Sequence, residues 1–107
     1  MTESELEELK KIVAPIAEKR GVDKVYLFGS RARGDNRPDS DYDFFVHSGS
    51  LSGWGFGGLY YDLEEALGTK IDIVFDEIPD GTRFMQEVMN DEVLLYDNET
   101  RQRHNEN

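Results

Sequence analysis

The sequence predicts an α/β (α+β) fold, a small mixed β-sheet of three to four strands with helices packed against it. Helix-type and strand-type spacings of apolar residues alternate along the chain in the order α-β-α-β-α-β-α-β. The chain has 107 residues, enough for one modest hydrophobic core. We therefore predict a single domain over residues 1–98. The tail, residues 99–107, contains no apolar side chain and is expected to be disordered.

Composition narrows the functional classes. The formal net charge is −11, from 12 basic and 23 acidic residues, which opposes general binding to nucleic-acid phosphates. No apolar run approaches the roughly 18 residues of a membrane span, and the polar N-terminus does not resemble a signal peptide. Cysteine is absent, which fits a reducing compartment. We expect a soluble cytoplasmic protein whose carboxylates bind cations or face a basic partner.

The first element is an amphipathic helix over residues 3–20. Thr2 and Glu5 form a possible capping box at its start, and Gly21 is placed to end it. Pro15 is expected to kink or weaken the last turn. The helix has apolar residues at spacings of three and four, namely Leu6, Leu9, Ile12, Val13 and Ile16.

Short strands are predicted at residues 23–29, 41–47 and 70–75, from their β-branched and aromatic residues. In "KIDIVF" the alternation places Ile71 and Ile73 on one face and Asp72 on the other. A further helix is expected near residues 82–90, with Phe84, Met85, Val88 and Met89 as its apolar residues, and "EVLLY" predicts a final strand.

The segment "SGSLSGWGFGG", residues 48–58, is predicted to be a flexible loop beside the functional site. A short helix follows it, around Leu59 to Leu67, and ends at Gly68. Trp54 and Phe56 within the loop would stack on a base, dock a partner or pack in the core.

The stretch "GSRARGDNRPDSDYDFF", residues 29–45, contains the most informative chemistry. Alternation places Asp41 and Asp43 on the same face of their strand. Two neighbouring carboxylates repel each other, and a divalent cation reverses that interaction. Mg²⁺ fits because it takes one or two carboxylates together with waters and substrate phosphates.

A phosphate-binding turn is expected close to these carboxylates. Gly29 allows the backbone to approach a ligand, and Ser30 adds a hydroxyl donor. A helical turn through Arg31 to Arg33 would direct N–H groups and positive charge at an anion. Asp72 would reach the same site if its strand is a neighbour, as a third metal ligand or as the base.

Each feature also has an ordinary explanation when taken singly. A Gly-Ser pair is usually a turn, the arginines pair with surface acids, and Asp72 keeps a sheet edge soluble. Asp39, Asp41 and Asp43 imitate an EF-hand, but its sixth and twelfth positions hold Phe44 and Ser50, so that interpretation fails. "GWGFGG" fits a dinucleotide-binding pattern, which is weak evidence in so short a chain.

The whole pattern resembles the G-S-x10-D-x-D signature of the nucleotidyltransferases built on the DNA polymerase β palm, and its short length resembles their minimal nucleotidyltransferase (MNT) branch. The resemblance runs from about Val25 to Phe75 and includes the R-G extension at Arg33. It implies a polymerase β-like nucleotidyltransferase fold. It also implies two Mg²⁺ ions, with the metal-binding and catalytic set Asp41, Asp43 and Asp72, and ATP bound by the set Gly29, Ser30, Arg31, Arg33 and Ser40.

The resemblance also implies a biological role. Many small members of the family are antitoxins encoded beside HEPN-domain ribonucleases, and some silence the toxin by transferring AMP from ATP to its tyrosines. We therefore expect a protein adenylyltransferase that acts as an antitoxin and forms a hetero-oligomer with a HEPN toxin. Two alternatives remain open: an antitoxin that neutralises by binding alone, and adenylyl transfer to a small-molecule hydroxyl.

Overall fold

In the computed structural model, helices and strands alternate as the sequence predicts. The structure describes residues 1–76 and 82–99, with residues 84 and 87 described through their backbone only. Residues 100–107 of the predicted disordered tail, and the predicted core side chain of Phe84, lie outside this description. The elements are α1 (Glu3–Arg20), β1 (Lys24–Phe28), α2 (Gly29–Arg33), β2 (Tyr42–His47), α3 (Trp54–Leu67), β3 (Ile71–Phe75), α4 (Arg83–Asp91) and β4 (Val93–Asp97).

The four strands form one mixed sheet in the order β3-β2-β1-β4. Strand β1 is antiparallel to both β2 and β4, whereas β2 and β3 run parallel. A parallel pair needs a crossover connection, and α3 provides it. The condition on which a role for Asp72 depended, that the second and third strands are neighbours, is met, and Asp72 lies beside β2.

Helix α1 begins and ends where the sequence predicts. The Thr2 hydroxyl accepts a hydrogen bond from the Glu5 backbone N–H at 3.1 Å. Gly21 takes a left-handed conformation with φ of 78° and donates its N–H to the carbonyl of Ala17. The helix continues past Pro15 to Arg20. Its ends are set by local hydrogen bonds that the capping residues specify.

Apolar side chains cover both faces of the sheet, because strand residues alternate between them. The larger cluster joins α1 and α3 to one face, with strand residues that include Val25, Leu27, Phe44, Val46 and Ile71. A smaller cluster on the other face joins Met85 and Val88 of α4 to Phe45. Asp43 is two residues before Phe45, so it shares the face of the smaller cluster.

The prediction of a flexible loop over residues 48–58 is wrong for residues 54–58, which are helical. Helix α3 begins at Trp54 and incorporates the glycine-rich segment. Phe56 packs edge-on against Phe75, with ring centroids 4.8 Å apart, and it contacts the larger cluster. Phe75 lies on the face opposite Asp72, so this segment packs the core and does not border the predicted site. Trp54, in contrast, is 98% exposed.

Strand β3 lies at one edge of the sheet. The Tyr60 hydroxyl of α3 donates a hydrogen bond of 2.8 Å to the Ile71 carbonyl at the start of this strand.

Across residues 1–76 and 82–99, no helix has the length and apolar character required to cross a membrane.

Glu92, between α4 and β4, should make stability depend on pH. Burial raises the pKa of Glu92, and the nearby charge of His47 partly opposes this. A raised folded-state pKa favours the neutral form, so stability falls as pH rises from the unfolded-state pKa through the folded-state pKa. We expect Glu92→Gln to raise Tm at neutral pH, on the order of 1 °C, with no gain below the unfolded-state pKa. Calorimetry across pH checks this.

The matched control is Glu64→Gln, which removes the same charge from an exposed position on α3. An equal gain in Tm for Glu64→Gln would assign the effect to net charge rather than to burial of Glu92.

Candidate active site

Gly29 forms the turn between β1 and the short helix α2. Its φ of 77° lies in the left-handed region, which favours glycine. A Cβ at this position would overlap Oδ2 of Asp43. The antiparallel register pairs Phe28 with Asp43, and this pairing brings the carboxylate to the turn. The backbone conformation and the close approach of the Asp43 carboxyl therefore both favour glycine at residue 29.

Two of the predicted acids, Asp43 and Asp72, lie on one face of β2 and β3. Asp43 is paired with Asp72 in the parallel register of these strands, and Asp41 precedes Asp43 by two residues. Burial raises the pKa of Asp43, and the negative charges of Asp72 and Asp41 raise it further. The positive charge of Arg33 acts in the opposite direction. The three carboxylates thus interact electrostatically around the half-buried Asp43.

The donor set of this face is suited to a hard cation. In the part of the chain that the structure describes, no group of three acidic or histidine side chains forms a closed metal site. Mg²⁺ does not need such a closed cage, because waters and substrate phosphates complete its shell around one or two carboxylates. Asp43 and its neighbour Asp72 supply oxygen ligands of this type, so the residues present fit the ion.

Arg31 lies away from the carboxylate face. Its guanidinium donates to the Ser40 carbonyl, at 3.0 Å from Nε and 2.7 Å from Nη2. Its Cζ atom lies 4.0 Å from the ring centroid of Tyr42, which alternation places on the face opposite Asp43. The Ser40 hydroxyl in turn accepts a hydrogen bond from the Arg37 backbone N–H at 2.8 Å. In this structure Arg31 and Ser40 stabilise the loop between α2 and β2.

Arg33 lies on another side of α2. Its Nη1 is 2.8 Å from Oδ2 of Asp91, and its Nε is 3.1 Å from Oδ2 of Asp35. These two acids raise the pKa of Arg33. Asp91 was not among the predicted site residues, since its position at the end of α4 gives no sequence signal for a contact with α2.

The structure thus brings together the turn at Gly29 with Asp43 and Asp72, and Asp41 lies close enough to act electrostatically on Asp43. Arg31 and Ser40 instead bond to each other in the loop between α2 and β2. Arg33 is held in ion pairs with Asp35 and Asp91. A glycine turn beside carboxylates on adjacent strands is an arrangement that can bind a phosphate ester together with a cation.

Comparison with known proteins defines the class. The chain belongs to the family described as "Polymerase beta, Nucleotidyltransferase", whose sequence pattern matches residues 10–101. It is therefore a nucleotidyltransferase. This match confirms the polymerase β-like nucleotidyltransferase fold that the sequence resemblance implied.

Three relatives illustrate the likeness. A Methanocaldococcus jannaschii protein described as a "putative protein adenylyltransferase" is 37% identical over 70 residues, which cover 64% of this chain and 75% of the relative. A solved structure described as a "putative minimal nucleotidyltransferase" superposes with a TM-score of 0.71 at 28% identity, covering 87% of this chain and 95% of that one. Another, a tri-AMPylated Shewanella oneidensis HEPN toxin in complex with an MNT antitoxin, matches with a TM-score of 0.62 at 18% identity, over 92% of this chain and 77% of that one.

Gly29→Ala should disrupt the site without changing any charge. The left-handed backbone alone costs on the order of 1 kcal/mol for alanine, and the Cβ must also displace the Asp43 carboxyl. We expect a larger loss of unfolding free energy than the backbone term gives, and an ATP affinity at least about tenfold weaker. Urea denaturation and titration calorimetry measure the two quantities.

Gly68→Ala is the matched control for this variant. Gly68 has φ of 67°, and a Cβ there meets no atom within 4 Å. It should lose only the backbone term and keep its ATP affinity. Equal losses in both variants would contradict the proposed crowding between residue 29 and Asp43.

Proposed function

We propose that this nucleotidyltransferase transfers AMP from ATP to a hydroxyl of a protein, a tyrosine of a HEPN toxin, and thereby acts as an antitoxin in the cytoplasm. The pairing of Asp43 with Asp72 beside the Gly29 turn is the observation that carries the nucleotidyl-transfer chemistry. The protein acceptor is supported by the relative described as a protein adenylyltransferase and by the structural neighbour with an AMPylated toxin.

The proposed reaction is an in-line displacement at the α-phosphorus of ATP. The acceptor oxygen forms a bond to the α-phosphorus, and the bond from that phosphorus to the bridging α–β oxygen breaks. Pyrophosphate leaves with the electron pair, and the hydroxyl proton passes to Asp72 as base. Asp72 suits this role because it is exposed on the edge strand β3, where an incoming acceptor can reach it.

The turn at Gly29 and Ser30 would bind the β- and γ-phosphates. The absence of a side chain at Gly29 lets the phosphates and the Asp43 carboxylate approach the same stretch of backbone. Asp41 and Asp43 would hold Mg²⁺, with Asp72 as a further ligand. Bound Mg²⁺ would supply charge neutralisation for the attacking and leaving oxygens.

Electrostatics support the need for a cation at this place. Burial and two neighbouring carboxylates disfavour ionisation of Asp43, and among the described residues the opposing charge that acts on it comes from Arg33. The three carboxylates and a bound triphosphate would repel one another unless further positive charge lay between them. A divalent ion between the carboxylates and the triphosphate meets this requirement.

The double variant Asp41→Asn with Asp43→Asn tests the metal assignment. Both amides keep the shape of the side chain but lose the charge that binds a cation, so we expect label transfer from [α-³²P]ATP to the acceptor to fall at least about 100-fold. The assay combines the protein, Mg²⁺ and the product of the neighbouring gene.

Asp39→Asn is the control, because Asp39 is exposed in the loop just before Asp41 and its substitution removes one carboxylate charge outside the proposed site. Undiminished transfer by the double variant would refute the metal assignment. Transfer of label to a small hydroxyl compound, with none to protein, would refute the proposed acceptor.

The binding-only alternative is kept because the Shewanella oneidensis neighbour is a complex of toxin and antitoxin, although the toxin in it is AMPylated. The same double variant separates the two functions in cells that express the toxin at a fixed level. If AMP transfer is the mechanism, the variant restores growth poorly although it still binds the toxin. Full neutralisation by the variant, at equal expression, would establish binding alone as sufficient.

A further inference from the structure

Arg33 links the short helix α2 to the end of α4, the helix that covers the same sheet face as Asp43, through a charge pair. Its Nη1 contacts Asp91 at 2.8 Å, and its Nε contacts Asp35 at 3.1 Å. Asp91 is the last residue of α4. The pair with Asp91 therefore joins two elements that are far apart in sequence, whereas the pair with Asp35 is local.

The position of Arg33 on α2 directs it toward the proposed phosphate turn. Helix α2 spans Gly29–Arg33, and residues three apart on a helix share a face, so Arg33 lies one turn beyond Ser30 on the same side. Burial and the neighbouring carboxylates raise the pKa of Asp43, and the charge of Arg33 is close enough to oppose that rise in part. Arg31 cannot take this place while it is bonded to Ser40.

The ion pair with Asp91 is weak enough to be exchanged. The Arg33 side chain is 46% exposed and that of Asp91 is 23% exposed, and partly solvated pairs of this kind contribute little to stability. A triphosphate offers several charged oxygens, and a guanidinium binds phosphate through two parallel hydrogen bonds. An incoming nucleotide can therefore replace Asp91 as the partner of Arg33.

We propose that Asp91 competes with the nucleotide triphosphate for Arg33 and thereby sets the affinity of the site for ATP. Asp91 is thus a positioning residue that acts through Arg33. Nucleotide binding breaks the contact between α2 and α4, and the empty site restores it. This inference rests on the proposed function in so far as ATP is the ligand.

The test is the affinity of a non-hydrolysable ATP analogue with Mg²⁺ for Asp91→Asn, measured by titration calorimetry. Removal of the competing carboxylate should strengthen binding about fivefold, while Tm of the nucleotide-free protein falls slightly. A purely structural ion pair gives the opposite sign for binding, since a loosened site binds the analogue less well.

Two variants isolate the route through Arg33. Glu92→Gln removes the same charge from the adjacent residue. Within the described part of the chain the carboxylates paired with Arg33 are Asp35 and Asp91, not Glu92, so this variant should leave the affinity nearly unchanged. In an Arg33→Ala background, Asp91→Asn should have no effect on affinity, because Asp91 then has no guanidinium for which to compete with the nucleotide. An equal gain in either variant would overturn the proposal.

The wild-type protein provides a second measurement that does not depend on any variant folding. The ¹⁵N resonance of the Arg33 Nε should shift as the analogue is added, whereas that of Arg20, paired with Asp62 at 2.8 Å, should not. An unchanged Arg33 resonance at saturation overturns the competition alone. Failure of the wild-type protein to bind the analogue overturns the proposed function as well.

Discussion

The close approach of the Asp43 carboxylate to the backbone at Gly29 is the constraint on which the site depends. The oxygen occupies the space that a side chain at residue 29 would fill, and the carboxylate also faces Asp72 across the parallel register. The result is a concentration of negative charge in a partly desolvated place, where charge is costly. The sheet order β3-β2-β1 creates this concentration, since it places β2, with Asp43, between the glycine turn and the edge strand.

The short helix α2 is held from two directions. Arg31 extends to one side, where it bonds the Ser40 carbonyl and lies over the Tyr42 ring. Arg33 extends to the other, where it contacts Asp91. The first attachment is dense and partly buried, whereas the second is open to solvent. The turn that faces the carboxylates therefore has one fixed support and one that a ligand can compete for.

Much of this arrangement could be predicted from the sequence because it follows from period-two alternation and local turn chemistry. The shared face of Asp41 and Asp43, the glycine turn and the cap at Gly21 all depend on residues close together in the chain. The start of α3 could not be predicted from the sequence. Glycines disfavour helix, and the packing of Phe56 on Phe75 overrides that preference. The partnership of Arg33 with Asp91 also escaped prediction, since only the tertiary fold brings α2 and α4 together.

The hydrogen bond from Tyr60 to the Ile71 carbonyl has a consequence for association with other chains. An edge strand offers unpaired backbone groups to any extended segment that approaches it, and β3 is such an edge. The tyrosine hydroxyl already occupies the carbonyl one residue before Asp72. An added strand would meet the Tyr60 side chain at this carbonyl, so β-augmentation is disfavoured at the edge beside the acids.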